Sequence, residues 1–142
     1  VQAKQGADLN TGTFAQMVAY ETATGGFLEE HVAMLRRVYR ERRDLMLSLM
    51  DELFPPSVTW TRPGGGLFLW VTMPEGIDSA KLLERAVEKK VAFVPGSPFY
   101  ANGGGENTLR INFSNASPEQ IREGVTRLAA VFAEATAAQP VS

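Results

Sequence analysis

Cysteine is absent from this sequence. Disulfides, thiolate metal sites and a cysteine nucleophile are therefore excluded, and the lack fits a reducing compartment. Histidine occurs once, at His31. A histidine-based triad or a multi-histidine metal centre would have to rest on that one ring, so no metal site is expected. No apolar run is long enough to span a bilayer, and the N-terminus carries no charged-then-apolar signal pattern. Neither sign of charge dominates: 14 Lys and Arg stand against 16 Asp and Glu, for a formal net charge of -2. Without a basic excess, nucleic acid is not an expected partner, and no membrane is either. The first residue is Val1, which reads as the start of a fragment or a processed product.

What is present suits a compact domain. The chain has 142 residues, 44% of them hydrophobic and 21% charged, enough apolar material for a real core. Residues 1–10 read as polar and turn-like. Asn10-Thr11 opens a helical pattern carried by Phe14, Met17 and Val18 and stopped at Gly25-Gly26. A second, longer helix starts at Phe27. Its apolar residues Leu28, Val32, Leu35, Tyr39, Met46, Leu49 and Leu53 recur at three or four, until Pro55-Pro56 ends it. Such a helix is about 40 Å long at ~1.5 Å per residue. The mixed charges from Arg36 to Asp44 read as a solvated face with local ion pairs.

The period then changes. Val58 to Thr61 and Leu67 to Val71 read as two strands of a hairpin turned by Pro63-Gly64-Gly65-Gly66. Trp60, Phe68 and Trp70 in that hairpin suggest core or interface rather than a ligand platform. Asp78 or Ser79 caps a helix with an apolar face of Leu82, Leu83, Ala86 and Val87. Val91 to Val94 is a short buried strand, and Pro95 to Asn107 a long loop. In Thr108 to Phe113, strict alternation turns Leu109, Ile111 and Phe113 one way and Arg110 and Asn112 the other. Ser117-Pro118-Glu119-Gln120 is a capping box with proline at the first helical position, opening a helix that buries Ile121, Val125, Leu128, Ala129 and Phe132. About four helices and four short strands argue an α+β layer: a small, mainly antiparallel sheet with helices packed on one face. Residues 139–142 are expected to fray.

Arg110 is the leading candidate for chemistry. A guanidinium in mid-strand, after a loop built for close approach, can form a bidentate bond to a carboxylate. It can equally be a solvent-facing arginine or half of a structural ion pair. Pro95 and Gly96 sit in a proline-stiffened loop in which Gly96 permits an unusual backbone angle. Such a loop lines a binding site or is ordinary surface. Asn102 to Gly105 lacks the Gly-Lys-Ser/Thr ending of a phosphate loop and opens no helix, so it is not read as one. Gly64-Gly65-Gly66 is a turn, or backbone that gives a ligand room.

Three stretches, in order, resemble one family. Arg62-Pro63-Gly64-Gly65-Gly66-Leu67-Phe68-Leu69-Trp70 resembles the hairpin of class I/II aminotransferases. Val91-Ala92-Phe93-Val94-Pro95-Gly96-Ser97-Pro98-Phe99 resembles the strand and loop that follow it, and Asn107 to Ser114 the strand with that family's substrate arginine. Gln2 to Gln16, with Ala7-Asp8-Leu9, is similar to the segment leading from the large domain into the small one. The nearest type is the 2-aminoadipate and kynurenine aminotransferases. The resemblance implies the C-terminal small domain of a fold-type I, PLP-dependent, homodimeric, cytoplasmic enzyme that moves an amino group from an amino acid to a 2-oxo acid. It implies residues 1–26 as the connecting segment with its first helix and residues 27–138 as the small domain. Arg110 would grip the substrate α-carboxylate, and Gly65, Pro95 and Gly96 would lie near the substrate.

That family's catalytic lysine sits in a Ser-x-x-Lys motif upstream of everything here. Lys4, Lys81, Lys89 and Lys90 occupy no such setting. The chain by itself is therefore expected neither to hold PLP nor to transaminate, and its apolar first helix is expected to be exposed. Two other readings remain: a stand-alone carboxylate-binding or interaction module, and the structural half of a heteromeric enzyme whose lysine lies on another chain.

Overall fold

The computed structural model describes residues 2–8 and 10–138. Leu9 and the expected frayed tail, 139–142, lie outside the described residues. The chain divides into two compact units, Val1–Val38 and Tyr39–Ser142. No helix among the described residues is long and apolar enough to cross a membrane.

The first unit holds helices α1 (Gln2–Ala7), α2 (Thr13–Ala23) and the first part of α3 (Phe27–Leu53). Helix α1 replaces the expected polar turn. Alanine and glutamine favour helix, and Lys4 pairs with Asp8 one turn on, which together outweigh Gly6. Helix α2 buries none of its residues. Phe14 is 82% exposed, and Met17, Val18 and Tyr20 are exposed with it, as the apolar pattern without a partner face predicts. Gly25 and Gly26, at φ +81° and +83°, make the left-handed turn that separates α2 from α3.

The second unit has its own core. Strands β1 (Thr59–Trp60), β2 (Phe68–Thr72), β3 (Val94–Pro95) and β4 (Thr108–Asn112) form one sheet in the order β1-β2-β4-β3, with every pair antiparallel. Leu69 and Val71 of β2 share a buried face with Leu109, Ile111 and, just past β4, Phe113. Helices α4 (Ser79–Glu88) and α5 (Pro118–Ala137) and the later part of α3 supply the apolar side chains that complete this core. Met46 and Met50 enter from α3, Leu82 and Ala86 from α4, and Ile121, Val125, Leu128, Val131 and Phe132 from α5. The Phe132 ring stands 4.9 Å from Phe54 and 6.3 Å from Phe93, both edge-on.

Several expectations shift. The strand foreseen at Val91 to Val94 is only Val94–Pro95, because the Val91 N–H is taken by Ala86 O at the end of α4. Pro95 is tolerated because β3 is an edge strand. Of the two caps foreseen for α4, Asp78 is the one that forms, accepting from Ala80 N at 2.8 Å. Ser79 turns inward with Leu82 and Ala86, which rotates Val87 out to 58% exposure. The arginine run on α3 is not only a solvated face. Arg42 donates to Ser114 O, and Arg43 donates to Pro63 O at 3.1 Å while pairing with Asp44. These two arginines tie α3 to the loops beyond β4 and β1.

The capping box at α5 forms as expected: Ser117 Oγ accepts from Gln120 N at 3.3 Å and Gln120 Oε1 accepts from Ser117 N at 2.8 Å. The hydrogen bond from its own backbone N–H, then the Ser117 hydroxyl, hold the Glu119 carboxyl below the usual range. That contribution is present at neutral pH and is lost as acid protonates the group. At the far end of α4, Lys90 takes φ +58°, a geometry suited to glycine. Ser117→Ala is expected to lower the unfolding free energy by about 1 kcal/mol. Lys90→Gly is expected to raise it by about 1 kcal/mol by removing the left-handed penalty on a side-chain-bearing residue. Urea titrations of the two variants against the parent chain check both signs.

Candidate functional site

Packing of one sheet face against the helices leaves the other face for chemistry. Arg110 lies mid-β4 on that second face, with Trp70 of β2 and Val94 of β3 as its ladder partners. Its guanidinium carbon stands over two aromatic rings, 4.1 Å from the Phe68 centroid and 4.7 Å from the Phe99 centroid. Its Nε is buried and has no hydrogen-bond partner. The ion pairs among the described residues all belong to Lys4, Arg43, Arg62, Arg85, Lys89 and Arg127. Among the described residues Arg110 has no carboxylate partner, so it is not half of an ion pair among them. A cleft of about 190 Å³ opens beside it, lined by Phe68, Ala92, Phe93, Val94, Arg110 and Asn112.

The loop after β3 is set by one close approach. Gly96 N donates to Thr108 O at 2.7 Å. A Cβ on Gly96 would stand 1.9 Å from Thr108 Oγ1 and 2.7 Å from Thr108 O. Glycine is required there by space. The unusual backbone angle expected of Gly96 does not occur: its φ is -84°, in the right-handed helical region. From Gly96 a 3₁₀ turn, Ser97–Phe99, carries the Phe99 ring over Arg110. Trp70 meets that ring edge-on at 5.5 Å and also leans on Tyr100 at 6.2 Å. Tyr100 in turn lies flush against Gly105, where a Cβ would stand 2.1 Å from the ring.

The predicted site residues do not all meet. Pro95 pairs with Leu109 in the ladder, one residue from Arg110, and Gly96 begins the turn that covers it. Gly65 sits in the exposed β1–β2 loop, where an added Cβ would meet nothing within 4 Å, and is not among the residues lining the cleft. The positive φ that shapes that loop belongs to Gly66. Neither Phe68 nor Phe99 was a candidate site residue in the sequence reading. The available signal was the alternation that places Phe68 and Trp70 on one face, opposite Leu69 and Val71. Of the core-or-interface reading, Phe68 and Trp70 lie outside the core, whereas Trp60 does pack against it through Phe54.

The arrangement offers one unneutralised cation, aromatic walls and apolar surroundings. It suits a carboxylate. No lysine amine lines the cleft, so these residues do not fit a Schiff base to pyridoxal phosphate there. Lys4 is engaged with Asp8 and Thr11, and Lys89 stands 3.7 Å from Glu134. Among the described residues no cluster of metal-ligating side chains occurs.

A family model described as aminotransferase class I and II matches residues 4–128. The aromatic-amino-acid aminotransferase 1 of Thermococcus litoralis is 47% identical over 93% of this chain and 32% of its own length. The 2-aminoadipate transaminase of Thermus thermophilus is 51% identical over 90% of this chain and, again, 32% of its own. The solved α-aminoadipate aminotransferase of Thermus thermophilus, complexed with N-(5'-phosphopyridoxyl)-L-leucine, superposes with a TM-score of 0.89 at 48% identity, covering 96% of this chain and 35% of that one. The chain thus spans about a third of the length of the relatives it matches.

Gly96→Ala is expected to destabilise the chain by about 2–3 kcal/mol, since the added carbon meets Thr108 backbone that cannot yield. Gly65→Ala, with nothing within 4 Å of the new carbon, is expected to stay within about 0.5 kcal/mol of the parent. Thermal melts of the pair test whether space alone fixes Gly96.

Proposed function

Since this chain belongs to the class I and II aminotransferase family, we propose that it is the small domain of a PLP-dependent enzyme that moves an amino group from an amino acid to a 2-oxo acid, and that its part is to grip the substrate carboxylate with Arg110. The observation that carries the reading is a partly buried guanidinium with no carboxylate partner beside a cleft. A carboxylate entering in the guanidinium plane gains two charge-assisted hydrogen bonds and displaces no existing ion pair. Fixing that end of the substrate sets the orientation of its Cα, and orientation is worth much of the rate in such a reaction. Pro95 and Gly96 hold the adjacent loop near the substrate, and Gly65, which does not line the cleft within this chain, nears the substrate only in the assembled enzyme. Residues 27–138 form the small domain, with 1–26 leading in from the rest of the enzyme. The enzyme works as a cytoplasmic homodimer. The lysine and the cofactor cradle are supplied outside this chain.

In the full-length enzyme, Arg110→Gln is expected to lower kcat/KM for the amino donor about 100-fold, a loss of ~2.7 kcal/mol in the transition state. Arg110→Lys should recover only part of this, because an ammonium cannot make the two-pronged bond. A kcat/KM within threefold of wild type for the Gln variant would exclude Arg110 as the clamp. The isolated chain, mixed with PLP and reduced with borohydride, is expected to show no stoichiometric phosphopyridoxyl adduct by mass. A single adduct at one lysine would overturn the assignment of the cofactor site to other parts of the enzyme.

A further inference from the structure

We infer that Phe68 and Phe99 are positioning residues for the carboxylate clamp, holding the Arg110 guanidinium from two sides while leaving its positive charge unspent. The inference rests on the assignment of Arg110 to the substrate carboxylate and says how the chain keeps that side chain ready. A flexible arginine on an open sheet face would sample many rotamers and would pay that entropy on each binding event. The usual remedy is a protein carboxylate beside it, which fixes the arginine but competes with the substrate for the same donors. This chain uses ring faces instead. The guanidinium carbon lies 4.1 Å from one centroid and 4.7 Å from the other, within the range in which a ring quadrupole attracts a cation. A ring face carries no net charge and accepts none of the in-plane N–H bonds. The terminal Nη donors, unlike the buried Nε, therefore remain free for a planar acceptor.

The two rings are themselves fixed. Phe68 is on β2, in register with Asn112, two residues along β4 from Arg110. Phe99 is delivered by the turn that starts at Gly96 and is buttressed edge-on by Trp70. Yet Phe68 is 39% and Phe99 50% exposed, which is costly for residues whose only task is stability. The exposure also means that each can be changed without emptying the core.

The test uses the full-length enzyme, with Phe68→Leu and Phe99→Leu, which keep apolar bulk and remove the ring face, beside Phe68→Tyr and Phe99→Tyr, which keep it. The readout is the inhibition constant of propionate, a carboxylate without an amino group, measured with the melting temperature. Each Leu variant is expected to weaken propionate about fivefold, with the Tyr variants within twofold of wild type and all four melting near it. Leu variants that bind propionate like wild type, while Arg110→Gln loses it, would overturn the positioning role alone. Tyr variants as weak as Leu would overturn it too, since a ring face would then not be what matters. Propionate binding that survives Arg110→Gln would instead remove the clamp, and the positioning role with it.

Discussion

Burial of Leu109, Ile111 and Phe113 under the helices is the constraint on which the candidate site depends. Side chains alternate along a strand, so fixing three apolar residues inward leaves Arg110 no choice but the opposite face. The neighbouring strand obeys the same rule: Leu69 and Val71 point inward with them, and Phe68 and Trp70 point outward with Arg110. A one-residue slip that turned β4 over would bring Arg110 into the core and send Leu109 and Ile111 out. The core thus holds the register, and the register assembles the site.

The electrostatics of the site follow from what surrounds the guanidinium. Most cations in this unit are answered by a carboxylate or a carbonyl: Arg85 and Lys89 by Glu134, Arg127 by Glu123 and Lys90 O, Arg42 by Ser114 O. Arg110 is answered by two rings. A partly desolvated charge with no counter-charge is costly unless something binds it. An anion supplied from solution gains what the fold withheld. The same arrangement explains why the cleft suits a carboxylate.

Loop geometry completes the placement. The Gly96–Thr108 approach brings the start of the 3₁₀ turn against β4, and Gly105 accepts the face of Tyr100. Both glycines serve as flat surfaces for a neighbour, although Gly105 also takes a positive φ of +72°. In the first unit, by contrast, α2 presents Phe14, Met17, Val18 and Tyr20 outward. No described residue of that unit buries them.

Much of the second unit was legible in the sequence because its signals are local. The Ser117 to Gln120 capping box, the Pro55-Pro56 stop and the alternation across Thr108 to Phe113 each depend on a few consecutive residues, and each appears in the fold as read. The sequence alone also determined that Arg110 faces away from the core, since alternation needs no knowledge of the partner strand. It could not decide what Arg110 touches. The meeting of Phe68, Phe99 and Arg110 joins residues from β2, a turn and β4, and only the pairing of strands far apart in sequence creates it. The reason that Gly96 must be glycine was hidden in the same way, because the atom it would strike belongs to Thr108 on another strand. Val87 was misread because the rotation of a short helix about its axis is set by the surface it packs on. Direction along one element is a property of the chain; distance between elements is a property of the packing.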